Sequence, residues 1–220
     1  MDPFETFADD VLVLKARAYS EAYMSQYDAS HDWSHIQRVV ALAHKIYIAT
    51  APSHSTLSLR KVTLAALLHD VGDRKYVKPS QDAATLVRDF LVGAGADESL
   101  ADDVQAICLG VSYAAEMRDP ARTAALITTH PELAVVQDAD RLDAIGAVGI
   151  GRCFAYGAAK AAQRGLQGSV DHFGEKLLRL EGMMKTQVGR ELARERTERL
   201  RLFEAWWQEE NAAVNVPRVG

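Results

Sequence analysis

The spacing of the apolar residues constrains this chain most, and it is helical almost everywhere. Ile36, Val39, Val40, Ala43, Ile46 and Tyr47 recur at i, i+3 and i+4, as do Leu59, Val62, Leu64, Ala65, Leu67 and Leu68. Val11, Leu12, Leu14, Ala18 and Ala22 mark an earlier helix, and Ala84, Leu86, Val87, Phe90 and Leu91 a later one that Gly93 and Gly95 stop. Asp97-Glu98-Ser99 reads as the acidic first turn of a fifth helix running through Val104, Ile107 and Cys108. A sixth follows Pro131 with Leu133, Val135 and Val136. The spacing then predicts one long last helix, roughly from Glu175 to Asn211, with Leu177, Leu178, Met184, Leu192, Leu200, Phe203 and Trp206 on its apolar face. No Asn-Gly or Asp-Gly hairpin dipeptide occurs and alternation never persists. The expectation is an all-α, single-domain helical bundle. Two stretches interrupt the pattern and are expected to be loops walling a pocket: Gly72 to Gln81, which holds Pro79, and Tyr156 to Ser169, which holds Gly157, Gly165 and Gly168.

The chain has 220 residues, 48% hydrophobic and 25% charged, enough to bury a large core without staples. Cys108 and Cys153 form no CxxC pair, so a reducing compartment is expected, with each thiol acting as a small hydrophobe. The acidic start at Met1-Asp2-Pro3-Phe4-Glu5 does not resemble a targeting peptide, and the stretch nearest to a membrane span, Ala144 to Ala162, carries Arg152 and Lys160. A cytoplasmic location is expected, with no membrane association. The net charge of −5 argues against a nucleic-acid groove, although it leaves room for a local basic pocket that takes a small phosphorylated ligand.

The chemistry-bearing feature is His69–Asp70, at the end of the apolar run Leu64 to Leu68, with His35 upstream and Asp140 downstream. Two imidazoles and two carboxylates from three helices can converge on one divalent metal, which lowers the pKa of bound water to about 7. Successive helical side chains point about 100° apart, so His69 and Asp70 can share an ion most easily near a helix end, which Gly72 supplies. Mixed His and Asp donors suit Mn, Fe, Co, Ni or Zn better than Ca. Four protein ligands leave open positions only on a five- or six-coordinate ion, which favours a catalytic ion over a closed structural zinc.

His35 lies in Ser34-His35-Ile36-Gln37-Arg38-Val39, the pair in Leu67-Leu68-His69-Asp70, and Asp140 in Ala139-Asp140-Arg141-Leu142. This H…HD…D arrangement resembles the HD-domain metal-dependent phosphohydrolases. The stretch Gln137 to Ala147, with His172-Phe173 and Glu175-Lys176-Leu177-Leu178, is similar to a group of small stand-alone members. The resemblance implies an HD-domain helical bundle over residues 1–213, with a metal-binding core at about 25–150, a C-terminal helical part at about 151–213, and a tail at 214–220. It also implies a divalent metal (Mn, Mg, Co, Ni, Fe or Zn, with Mn favoured) and nucleotide-like substrates cleaved to phosphate or pyrophosphate. The match selects Asp140 among Asp138, Asp140 and Asp143. The other two are expected to carry helix charge or to support the ligands from behind.

By the same resemblance Asp73 is the candidate general acid or base, an Asp where Glu is more usual. Arg38, one turn from His35, and Lys75 and Lys176 are the expected contacts to an anionic substrate. Arg74, Lys78 and Arg196 are further cations near these segments. His31 and His35 stand four apart like a zincin pair, but Asp32 replaces the general-base Glu and no third ligand follows at zincin spacing. His31 and Asp32 are therefore expected to cap the helix or touch substrate. Between Asp70 and Asp140 only His130 could bring a second ion, so one metal is expected. Gly146, Gly149 and Gly151 are read as close-packing glycines, and Trp206-Trp207 as core or a homodimer face. The alternatives to a hydrolase are an HD-type di-iron oxygenase and a nucleotide-binding regulatory module without turnover.

Overall fold

The computed structural model describes residues 5–53, 56–73 and 82–212. Among them are eleven α-helices and no strand: α1 Val11–Met24, α2 Trp33–Thr50, α3 Leu59–Leu68, α4 Leu86–Gly93, α5 Glu98–Val111, α6 Tyr113–Arg118, α7 Pro120–Thr129, α8 Glu132–Asp143, α9 Gly146–Lys160, α10 Gly165–Glu175 and α11 Gln187–Ala212. The expected all-α class holds. None of these helices is long and apolar enough to cross a membrane.

The starts of the helices follow capping chemistry. Asp10 accepts from the backbone N–H groups of Leu12 and Val13, Asp32 from His35, Ser58 from Lys61 and Asp97 from Leu100, satisfying donors that a helix start leaves orphaned. Asp119 caps α7 in the same way, with Pro120 in its first turn, where the missing N–H is harmless.

α3 is the centre of the fold. Every residue from Val62 to Leu68 is buried, and the helix packs against α1, α2, α5 and α8. A segment that is apolar on nearly every side, as from Leu64 to Leu68, is stable in water only when it is enclosed in this way. Its last four carbonyls each have a donor. Cys108 Sγ reaches the Ala65 oxygen at 3.8 Å, His69 Nδ1 the Ala66 oxygen at 2.9 Å, Ser20 Oγ the Leu67 oxygen at 2.6 Å, and the Val71 N–H the Leu68 oxygen at 2.9 Å. Gly72 turns the chain with φ +81, a left-handed conformation that glycine adopts without strain.

The sequence reading needs correction in four places. The single last helix is broken: α10 ends at Glu175, a 3₁₀ stretch runs from Leu177 to Met183, and α11 begins at Gln187. The tighter 3₁₀ turn aligns residues three apart, and it drives both Leu177 and Leu180 into the core. The supposed loop Tyr156 to Ser169 is mostly helical, comprising the end of α9, a short 3₁₀ turn and the start of α10. Of its glycines, Gly157 serves the crossing of α9 and α10, where it meets Ser169. The short helices α6 and α7 were not anticipated. Gly149 does pack closely, since an added Cβ would lie 2.3 Å from the Ala144 carbonyl oxygen, whereas Gly151 faces open space.

Asp138 explains where α11 restarts. Its fully buried carboxylate accepts from the Lys185 N–H at 2.8 Å, the Thr186 N–H at 2.7 Å and the Thr186 hydroxyl at 2.7 Å. Gly189 packs so tightly on it that an added Cβ would lie 2.2 Å from the carboxylate oxygen. Asp138→Ala strands two backbone donors and should cost about 2–3 kcal/mol, read as a lower urea midpoint. An unchanged midpoint would show that this cap does not hold α11.

Candidate metal centre

Three helices deliver the candidate ligands. Asp32 caps α2 and His35 lies in its first turn. The end of α3 presents His69 and Asp70, and α8 carries Asp140 one turn from its own end. Ligand atoms of His35, His69 and Asp140 all lie within 4.8 Å of one another. Asp70 joins them: its Oδ2 is 3.3 Å from His35 Nε2 and its Oδ1 is 3.5 Å from His69 Nε2. Asp140 Oδ1 stands 3.6 Å and 3.7 Å from the same two nitrogens. Among the described residues this is the one such group of three or more potential ligands.

The donor set fits a cation. His69 Nδ1 is bonded to a carbonyl, which can only accept, and His35 Nδ1 lies 2.8 Å from Asp143 Oδ2. Both rings therefore carry hydrogen on Nδ1, and their Nε2 atoms face each other at 3.3 Å. Two nitrogen lone pairs flanked by two carboxylates repel unless a positive charge lies among them. Asp70 Oδ2 is buried and has no hydrogen-bond partner, as expected of an atom oriented for an ion. Without metal a proton takes that place. Burial opposes charge on His69, but the Asp70 and Asp140 carboxylates outweigh it and raise its pKa to about 9. Burial raises the pKa of both carboxylates, yet the two histidines, His69 foremost, hold Asp70 and Asp140 well below the usual carboxylate range.

Asp143 stands behind the ligands. It is 1% exposed and touches His35 Nδ1, Arg38 Nε at 2.7 Å and Nη2 at 3.0 Å, and Arg152 Nη1 at 3.0 Å. Burial works against its charge, but His35 and Arg38, with Arg152 beyond them, bring its pKa down to about 2. A carboxylate in this position fixes the tautomer and the angle of a ligating imidazole. Arg152 also donates Nε to the Ser30 carbonyl at 2.7 Å. Arg196 donates to the Leu142 carbonyl and interacts electrostatically with Asp143 and Arg38. Among the described residues Asp143 is the one carboxylate in ion-pair contact with Arg38 or Arg152, and Arg196 has none.

The sequence-predicted residues are placed as follows. His35, His69, Asp70 and Asp140 come together. Arg38 lies beside them, held by Asp143. Asp73 follows the cluster, its N–H bonded to the Asp70 carbonyl at 3.2 Å. Lys176 sits with its ammonium 4.9 Å from the centroid of the Tyr113 ring. Lys75, with Arg74 and Lys78, lies outside the described residues. His130 pairs with Asp103 at 3.6 Å, and Arg141 turns to Glu116 and the Met183 carbonyl. Sequence reasoning missed Arg152. The signal was a lone arginine on a helix otherwise rich in Gly and Ala, where a partly buried charge demands a partner.

Two outcomes follow for the centre. A folded-state pKa near 9 for His69, against an ordinary 6.5, gives the metal-free protein stability that is complete below pH 6.5 and is lost as the pH rises through about 9. Protons and metal compete for the same nitrogen, so added Mn should raise Tm more at pH 8 than at pH 6. Equal shifts at both pH values would rule that competition out. Asp143→Asn should weaken metal binding by about 10- to 100-fold in a direct titration, and wild-type affinity would show that Asp143 does not support His35.

The chain matches the model of the HD domain family over residues 32–145. It is 39% identical over 184 residues to the uncharacterized protein YpgQ of Bacillus subtilis, covering 82% of this chain and 84% of that protein. Its fold is similar to the crystal structure of Bacillus subtilis YpgQ in complex with ADP, with a TM-score of 0.71, 34% identity, and 94% and 96% of the two chains covered. It is also similar to an HD-superfamily hydrolase from Bacillus thuringiensis, with a TM-score of 0.62, 31% identity, and 91% and 97% covered. With a His/His/Asp cluster whose two imidazoles are buried and this likeness over most of its length, the chain belongs to the HD domain family.

Proposed function

We propose that this chain is a divalent-metal-dependent phosphohydrolase acting on nucleotides, with His35, His69, Asp70 and Asp140 as the metal ligands. The observation that carries the reading is the convergence of two imidazole Nε2 atoms and two carboxylates on one point, one of them with a buried, unpartnered oxygen. A divalent ion held there supplies an acidic water at neutral pH and positive charge for phosphoryl oxygens. The surrounding groups suit an anionic substrate. Arg38, Arg152 and Arg196 bring three positive charges to the single carboxylate of Asp143, and fixed guanidinium groups stabilise charge on a transferring phosphoryl group. Lys75, in the segment after Asp73, and Lys176, whose ammonium lies over the Tyr113 ring, are the remaining proposed anion contacts. Asp73 is assigned the proton transfer. Binding of ADP by the similar Bacillus subtilis protein supports a nucleotide as the substrate class.

The test is turnover of a nucleotide panel by chelated protein resupplied with Mn, Mg, Co, Ni, Fe or Zn, with phosphate and pyrophosphate measured separately. Asp140→Ala should lose both bound metal and turnover. Asp73→Asn should keep its metal and lose about 10²- to 10⁴-fold in kcat. Full turnover by chelated Asp140→Ala protein would sink the assignment.

A further inference from the structure

A cavity of about 240 Å³ lies at the crossing of α9 and α10, between Cys153 and Tyr156 on one helix and Gly168, Ser169 and His172 on the other. Glycine makes the crossing possible. A Cβ on Gly157 of α9 would lie 2.4 Å from Ser169 Oγ of α10. The cavity is smaller than the roughly 300–1,000 Å³ typical of drug-sized sites, which suits one flat ring system.

Its position ties it to the metal centre. Arg152 and Tyr156 are four residues apart on α9 and so share a face. Arg152 reaches Asp143 and the Ser30 carbonyl, while Tyr156 forms a wall of the cavity. The Tyr156 ring stands edge-on to His31 at 6.1 Å between centroids, and His31 stands edge-on to His35 at 6.0 Å. The cavity therefore begins two aromatic rings away from a candidate metal ligand.

Its chemistry differs from that of the arginine cluster. On the rim Arg164 pairs with Glu175 at 2.7 Å, and His172 Nδ1 lies 3.2 Å from the same carboxylate. Charge is matched there, whereas positive charge is in excess around Asp143. A phosphate belongs at the Asp143 end. The cavity offers an aromatic face, a floor of small residues, and hydrogen-bond donors and an acceptor at its edge. Resting on the nucleotide-hydrolase reading above, we propose that the α9–α10 cavity holds the nucleobase of the substrate, stacked on Tyr156, while its phosphates lie at the metal centre.

The experiment compares calorimetric binding of ADP and of inorganic tripolyphosphate to the full chain loaded with Mn. Wild type, Tyr156→Ala, Tyr156→Phe and the cavity-filling Cys153→Phe are measured in parallel with turnover. Loss of one stacked base contact weakens binding on the order of tenfold. The expected result is a fall of about that size in the ratio of ADP to tripolyphosphate affinity for Tyr156→Ala, with the wild-type ratio kept by Tyr156→Phe and a fall for Cys153→Phe. An unchanged ratio in both Tyr156→Ala and Cys153→Phe would overturn the proposal, as would wild-type protein that binds tripolyphosphate and not ADP. Tyr156-dependent ADP binding without turnover of any nucleotide would uphold the cavity and overturn the hydrolase reading.

Discussion

Two imidazoles face each other across 3.3 Å, each with its outer nitrogen already committed. That pair sets the demands on the structure around it. His69 uses Nδ1 to close the end of α3, and His35 uses Nδ1 to meet Asp143. Neither ring can turn away without stranding a buried polar group, which would be costly. Their inner lone pairs are left opposed, and only a cation resolves that opposition. In the absence of metal, a proton on His69, whose pKa the Asp70 and Asp140 carboxylates raise to about 9, has this role. A centre arranged in this way could hold a divalent ion.

The rigidity comes from α3. The part of α3 from Val62 to Leu68 is buried on all sides and cannot leave its terminal carbonyls to water, so neighbouring elements must supply donors. Ser20 from α1 and Cys108 from α5 do so, and the remaining two donors come from His69 and Val71. The cap of the central helix and the placement of a candidate ligand are thus the same hydrogen bond. Burial pushes the Cys108 thiol far up, so it remains a neutral donor beside Asp70.

Much of this was legible in the sequence, for physical reasons. Helical period and the scarcity of hairpin signals indicate the class, and His69–Asp70 before Gly72 points to a helix end with two donors. Arg38 and Asp143 each stand three residues from a candidate ligand on the same helix, so the pairing of their faces was available in outline. What spacing could not show is contact between elements far apart in the chain. Arg152 meets Asp143 only because α9 folds back on α8, and Asp138 holds α11 through Lys185 and Thr186. The break after Glu175 was hidden because 3₁₀ and α spacing both place apolar residues three apart, as at Leu177 and Leu180. The glycines at 157, 165 and 168 suggested a loop when read one at a time. One of them, Gly157, meets Ser169 where α9 and α10 cross, and Gly168 lies against Arg164 at the start of its own helix.

Charge is sorted along α9. At Arg152 the guanidinium joins Arg38 around one carboxylate, close to the imidazole pair, and positive charge is in surplus. One turn further on, Tyr156 begins a region whose Arg164, His172 and Glu175 satisfy one another. A substrate with a highly charged end and a flat, weakly polar end matches that gradient in one orientation only. Reversing it would set a ring against guanidinium groups that share one carboxylate and phosphate against Glu175, and each mismatch is unfavourable for a desolvated charge. On the nucleotide reading proposed above, the helix that carries Arg152 beside the candidate metal centre would therefore also set the direction in which the substrate lies.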